Sequence, residues 1–216
     1  MTSSSACRHA PATLRNREPL LTVLRDVLPP DGTVLEIAGG TGEHVVYFAR
    51  RLTPRAWLPT DADPVDLASI AAWRERHPAE NLLPPVWLDV MDSVWLPETQ
   101  PPMPSISAIA AINLIHIAPW AACLGLLAGA SRILSAGGLL VLYGPFSQCG
   151  RHTAPSNAAF DVSLREQNAA WGVRDLDDVT AAAAASGLRL DRTVAMPANN
   201  LSVIFTRNPA PPPVQV

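Results

Sequence analysis

The sequence predicts an α/β fold: a Rossmann-like, doubly wound sheet of seven strands with the last strand antiparallel. Three observations carry this expectation. Short apolar or β-branched runs alternate with segments of helical spacing from Leu20 to Tyr143. The first such run, Val34-Leu35-Glu36-Ile37, breaks at once into Ala38-Gly39-Gly40-Thr41-Gly42 before a new helical pattern begins at Glu43-His44. A helix and two more strands then follow the fifth run, between Asp175 and Thr206.

Taken in order, residues 1–16 read as polar and irregular, and Leu20, Leu21, Leu24, Val27 and Leu28 repeat as a helix stopped by Pro29-Pro30. Asp31-Gly32 turns into a first strand, Thr33 to Ala38. After the glycines, Val45, Val46, Ala49 and Leu52 form one helix face. Ala56 to Thr60 is a second strand ending at Asp61, and Pro59 is expected to fray it. Asp63 reads as an N-cap with Pro64 in the first turn of a helix reaching about His77. Pro85 to Leu88 is a third strand ending at Asp89, followed by a Pro-rich loop, 97–104. Ile106 to Ile112 is the fourth strand, Pro119 opens a helix to Leu134, and Leu139 to Tyr143 is the fifth strand. Residues 144–174 read as a loop-rich insertion with a short helix from Val162 to Asn168, the kind of segment that walls a functional site. An alanine-rich helix from Asp175 to Ser186 precedes the strands Leu188 to Ala195 and Leu201 to Thr206.

This organisation reads as one domain over 1–207, with an N-terminal helix or lid over 1–30, an acceptor-side insertion over 144–174 and a Pro-rich tail over 208–216. A hydrophobic fraction of 48% with 16% charged residues fits a compact globular chain. The net charge of −3 gives no electrostatic reason to expect nucleic acid or an anionic membrane surface. The stretch Ile106 to Ala130 is apolar enough to suggest a span, but Asn113, His116 and Pro119 interrupt it, so no membrane is expected. Cys7, Cys123 and Cys149 have no metal-ligand spacing. That argues for reduced thiols, no bound metal and, without an apolar leader in the first residues, a cytoplasmic setting.

Ligands of such sheets sit at the carboxyl ends of the strands, where strand order reverses. Glycines at the first strand end let the backbone turn tightly and approach a ligand, with the amides of the next helix facing it. Asp61 lies 21 residues after Gly40 (61 − 40) and reads as a ribose-binding carboxylate, with turn capping as the alternative. Asp89 reads as an acceptor for an adenine amino group, again against a turn role. Glu36, inside the first strand, either accepts loop amides or reaches the ligand. The cofactor-binding set is therefore Glu36, Ala38, Gly39, Gly40, Gly42, Asp61, Ala62, Asp89, Val90 and Asn113.

A nicotinamide site would favour G-x-G-x-x-G, and here Val45 stands at the third glycine position. The order Glu36-x-Ala38-x-Gly40-x-Gly42 resembles instead the pattern of class I S-adenosylmethionine-dependent methyltransferases. Further blocks look like the methyltransferase-like family DUF938. They are Arg15-Asn16-Arg17-Glu18-Pro19, Leu35 to His44, Trp57-Leu58-Pro59-Thr60-Asp61-Ala62-Asp63-Pro64 and Asn113-Leu114-Ile115-His116-Ile117-Ala118-Pro119-Trp120. Tyr143-Gly144-Pro145-Phe146, Ser156 to Asp161, Trp171-Gly172-Val173-Arg174-Asp175 and Met196 to Leu201 complete the likeness. Gly39 departs from a serine common there, and Leu58 from a glutamine. The resemblance implies a methyltransferase fold, S-adenosylmethionine as cofactor and S-adenosylhomocysteine as product, and it implies no substrate.

Methyl transfer from a sulfonium is an in-line displacement governed mainly by positioning. A base is required only when the acceptor carries a proton. His116 reads as a base or as a buried neutral histidine; Tyr143 faces the acceptor or packs. Arg151, His152, Arg165 and Arg174 surround the insertion and together could pair with an acceptor carboxylate. Arg15 and Asn16 read as a lid, and Asn199 as a pocket residue or a turn. The expected partner is a small-molecule acceptor, possession of a homodimer interface being left open. The competing expectation is a cofactor-binding interaction protein that kept the fold without turnover.

Overall fold

The computed structural model describes residues 7–102 and 104–209. Five parallel strands are β1 (Thr33–Ile37), β2 (Ala56–Asp61), β3 (Val86–Trp87), β4 (Ile106–Ile112) and β5 (Leu139–Gln148). They are joined by β6 (Leu188–Met196) and β7 (Asn200–Arg207) in the order β3-β2-β1-β4-β5-β7-β6, with β7 antiparallel to both of its neighbours. Two short ladders, Arg151–His152 and Arg174–Asp175, pair with the far end of β5.

The period-2 alternation of the central strands sorts their side chains into two cores. Val34, Trp57, Ala108, Val141 and Tyr143 pack against α1 (Pro11–Val27), α2 (Glu43–Ala49) and α3 (Pro64–Arg76). Leu35, Leu58, Ile109, Leu140 and Phe205 pack on the other face against α5 (Trp120–Ile133) and α7 (Leu176–Ala185). The apolar stretch 106–130 thus resolves into β4, a 3₁₀ turn at Leu114–His116 and α5. No helix among the described residues is long and apolar enough to cross a membrane.

Four local expectations are corrected. The first helix begins at Pro11 rather than Leu20 and carries Pro19 within it. Pro19 has no N–H for the Arg15 carbonyl, yet buried Leu20, Leu21 and Leu24 hold the helix through that gap. Pro59 does not fray β2, which runs to Asp61. The Trp57 N–H donates to Asn81, on the side away from β1, and Pro59 faces that same side, where Pro84-Pro85 leaves no ladder to break. A four-residue helix, α4 (Leu96–Thr99), occupies part of the expected loop 97–104. The insertion is more regular than expected: β5 continues to Gln148, and α6 (Pro155–Gln167) starts seven residues before Val162 (162 − 155). The expectations for residues 1–6, and for the tail from 210 onward, lie outside the described residues.

Candidate cofactor and acceptor site

The loop after β1 explains its own composition. Ala38, Gly40 and Gly42 all have positive φ, 55°, 57° and 90°, so every second residue is left-handed. Only glycine adopts this freely, and Ala38 carries strain of about 1–2 kcal/mol. A Cβ on Gly42 would meet the Ile70 Cα at 2.8 Å, which makes this glycine the contact between loop and α3. A Cβ on Gly40 would meet nothing within 4 Å. Gly40 therefore presents bare backbone to open space. As α2 has only seven residues, the loop backbone, not a long helix terminus, offers the approach.

Asp61, at the end of β2, accepts the Gly40 N–H at 2.9 Å on one oxygen and the Asp63 N–H at 2.9 Å on the other. It both caps a turn and fastens the loop, while each carboxylate oxygen keeps a further lone pair. Asp63 caps α3 through the Val65 N–H. Asp89 accepts the Met91 N–H at 2.9 Å, with buried Val90 beside it. It borders a recess of about 320 Å³ lined also by Trp87, Leu88, Val94 and Trp95. Ala62 is exposed next to Asp61.

The Glu36 carboxyl accepts no loop amide among the described residues. It accepts the Trp57 indole N–H at 2.6 Å and is 2% exposed. Burial, outweighing that hydrogen bond, pushes its pKa up to about 8.

On the acceptor side, Asn113 takes a left-handed conformation, φ 62°, and its N–H donates to the Tyr143 carbonyl at 2.7 Å. His116 is fully buried, edge-on to Phe146. Its Nδ1 accepts from the Arg174 amide at 3.2 Å, and its Nε2 has no partner among the described residues. Burial and the neighbouring Arg174 charge pull its pKa down to about 3. The ring packs against Gly144, where a Cβ would lie 2.5 Å from Nε2. This is the buried neutral histidine of the alternative reading, with an amide in place of the expected carbonyl.

Tyr143, 4% exposed, accepts the Asn200 side-chain N–H at 3.0 Å. Burial raises its pKa, against the lowering effect of Asn16 and Asn200 hydrogen bonding and of the Arg15 charge. Asn16 is buried and bonds His44 Nε2 through its Oδ1 at 2.8 Å. Desolvation pulls the His44 pKa down to about 4, so the imidazole is neutral and Nε2 donates. The Asn16–His44 bond thus joins α1 to α2, and the Asn200–Tyr143 bond joins β7 to β5. His44 was hidden within the glycine block, and only its place one residue into α2 hinted at it.

The expected basic cluster is not assembled for an acceptor. The Arg174 guanidinium donates to the carbonyls of Ile115, Ala118 and Ala170 at 2.9, 2.7 and 2.8 Å. The bonds to Ile115 and Ala118 tie the insertion to the turn after β4, and the bond to Ala170 closes the insertion on itself. Arg165 is paired with Asp161 at 2.9 Å, and His152 lies 3.8 Å from the same carboxylate. Arg151 is exposed. Asn199 accepts from Asn157 through its carbonyl and donates to Ser156, pinning the β6–β7 turn to α6.

The segment just before α1 crosses the outside of the loop. The Glu43 carboxylate accepts from His9 at 2.9 Å and from the Ala10 N–H at 2.6 Å. The Arg8 N–H donates to Ser69, which donates in turn to the Thr41 carbonyl at 2.7 Å. The first part of the expected lid, before Arg15 and Asn16, is anchored here.

A family model described as "Protein of unknown function (DUF938)" matches residues 7–207. The chain belongs to the DUF938 family. Among solved structures, this DUF938 chain resembles an O-methyltransferase family protein from Burkholderia thailandensis with a TM-score of 0.74 at 15% identity. The match covers 93% of this chain and 58% of that one. CalO1, a methyltransferase in calicheamicin biosynthesis solved with S-adenosylhomocysteine, matches at 0.70 and 19% identity, over 92% of this chain and 55% of its own. Human N-acetylserotonin methyltransferase, solved with S-adenosylmethionine, matches at 0.73 and 13%, over 91% and 53%. The DUF938 chain therefore has the class I methyltransferase fold, and it spans little more than half the length of these structures.

Proposed function

We propose that this protein is an S-adenosylmethionine-dependent methyltransferase acting on a small molecule by in-line transfer. The observation that carries this is the loop at 38–42, whose left-handed residues leave Gly40 bare beside the Asp61 carboxylate. Nothing there demands a phosphate ligand, and the remaining lone pairs of Asp61 suit ribose hydroxyls. Asp89 and its apolar recess suit a purine. Structures that share the fold and are solved with this cofactor or its product support the assignment. Gly40, Asp61, Asp89 and Asn113 would hold the cofactor, which supplies an electrophilic methyl group when bound. The chain's own residues orient the acceptor and exclude water, which is most of what such a displacement requires.

The test is calorimetry with S-adenosylhomocysteine and with NAD, followed by transfer of a labelled methyl group to a pool of small metabolites. Saturable binding of the first and labelling of an acceptor are expected. Binding without labelling of any acceptor would favour the non-catalytic interaction protein, and binding of NAD alone would overturn both readings.

A further inference from the structure

We propose that residues 8–10 form a strap whose docking on Glu43, Ser69 and Trp73 sets the shape of the 38–42 loop, so that strap and cofactor bind cooperatively. This deepens the methyltransferase reading, and its cofactor half rests on it.

The inference comes from three side chains that each face two ways. Ser69, 1% exposed on α3, receives the Arg8 N–H at 2.8 Å and gives its own proton to the Thr41 carbonyl at 2.7 Å. An amide only donates and a carbonyl only accepts, so the direction of that hydroxyl is fixed. The Glu43 carboxylate, at the start of α2, receives the Ala10 N–H at 2.6 Å on one oxygen and His9 Nδ1 at 2.9 Å on the other. It also receives the Thr41 hydroxyl at 3.4 Å. Trp73 gives its indole N–H to the Arg8 carbonyl at 2.9 Å. The edge of the same ring lies 3.2 Å from where a Cβ on Gly42 would stand. Strap and loop therefore share all three anchors. Thr41 is held from two sides, between the left-handed glycines Gly40 and Gly42.

The strap adds nothing to the two cores. Arg8, His9 and Ala10 belong to neither buried cluster, and the Arg8 and His9 side chains are 49% and 63% exposed. Besides the shared anchors, an Arg8–Asp66 ion pair and the edge-on contact of His9 with Trp73 hold it down. Links as exposed as these open locally without unfolding the sheet. When the strap lifts, Ser69 loses the donor that aims its hydroxyl and Glu43 loses two of its three partners. The loop, with three left-handed residues in five, then spreads over more conformations. A ligand that needs the ordered loop must reorder it, and its affinity falls by that cost. Linkage makes the effect mutual: a ligand of the loop tightens the strap by the factor by which the strap tightens the ligand. Arg8, His9, Ala10, Glu43, Ser69 and Trp73 are thus positioning residues.

The experiment uses the full chain, isotope-labelled, and two variants confined to the strap. Ala10→Pro deletes the N–H given to Glu43 and cannot hold the φ of −123° found there, whereas Ala10→Ser keeps both and serves as the matched control. Arg8→Ala/His9→Ala removes the side-chain latches and leaves every backbone donor in place. The first readout needs no ligand. The amides of Gly39, Gly40 and Gly42 are bonded to Thr60, Asp61 and Gly39, so their hydrogen exchange reports the order of the loop. Exchange there should quicken about fivefold or more in Ala10→Pro, and less in the double variant, while Ala10→Ser matches the wild type. The second readout is calorimetry with S-adenosylhomocysteine, whose Kd should rise about fivefold or more in Ala10→Pro. In the wild type the same ligand should slow exchange at the Arg8 and Ala10 amides by a similar factor. Urea unfolding followed by circular dichroism shows that each variant keeps the fold. Loop exchange and Kd that stay at wild-type values in both strap variants overturn the proposal. So does binding of S-adenosylhomocysteine that leaves the strap amides unchanged. Wild-type protein that does not bind S-adenosylhomocysteine overturns the methyltransferase reading instead, and loop exchange in Ala10→Pro then decides the coupling of strap to loop by itself.

Discussion

Replacing Glu36 with Gln should change how stability depends on pH, not merely its level. The carboxyl is 2% exposed, bonded to the Trp57 indole, and raised from 4.5 to about 8. In the unfolded chain it ionises near 4.5, whereas in the folded chain it stays neutral until about 8. Between those values the unfolded state holds fewer protons, so stability falls as pH rises. The gap of about 3.5 units (8 − 4.5) corresponds to about 5 kcal/mol at its limit. Glutamine keeps an oxygen for the Trp57 N–H and cannot ionise. Its extra N–H₂ shifts the whole curve by a constant. In urea unfolding at pH 5, 6, 7 and 8, Glu36→Gln should gain on the wild type by about 3–4 kcal/mol across the series. A difference that stays level from pH 5 to pH 8 would refute the buried, neutral carboxyl.

The buried histidine acts with the opposite sign. His116 is held near 3, so the unfolded chain binds the extra proton below 6.5 and stability is lost as pH falls through that region. His116→Gln should flatten the acid limb of a melting-temperature profile between pH 6.5 and 4 relative to the wild type. Gly40→Ala and Gly42→Ala separate ligand space from packing. Gly40→Ala should lower stability by only about 1 kcal/mol yet weaken S-adenosylhomocysteine binding at least tenfold. Gly42→Ala, with Ile70 Cα 2.8 Å away, should destabilise by about 2–4 kcal/mol in denaturant titration. Arg174→Met removes three charged donors from backbone carbonyls and should destabilise by about 3 kcal/mol, with faster hydrogen exchange in residues 114–118 and 170–174.

The parts of the fold legible in the sequence are those where local chemistry and tertiary demand agree. β4 runs Ile106–Ile112 as its apolar run, interrupted only by Ser107, predicts, and the Asp63-Pro64 start of α3 is capped as read. The spacing of small residues at 38, 40 and 42 is the spacing of positive φ, so this motif states its backbone requirement openly. Pro19, Pro59 and Gly144-Pro145 mislead because each breaks a local rule that buried neighbours or an absent ladder make harmless. The acceptor side is least legible. Arg174 looks like a free cation in sequence because its partners are carbonyls of distant residues, which no side-chain pattern announces. The Asn16–His44 and Asn200–Tyr143 bonds each join two distant elements and have no spacing of their own.

The central claim is that the loop at 38–42, with Asp61, holds S-adenosylmethionine. Isothermal calorimetry of the wild type, Gly40→Ala and Asp61→Asn with S-adenosylhomocysteine tests it most directly. One saturable site per chain is predicted for the wild type, with heat that falls away in both variants while their folded content, followed by circular dichroism, is kept. Equal binding in all three proteins, or no binding in a folded wild type, would contradict the claim.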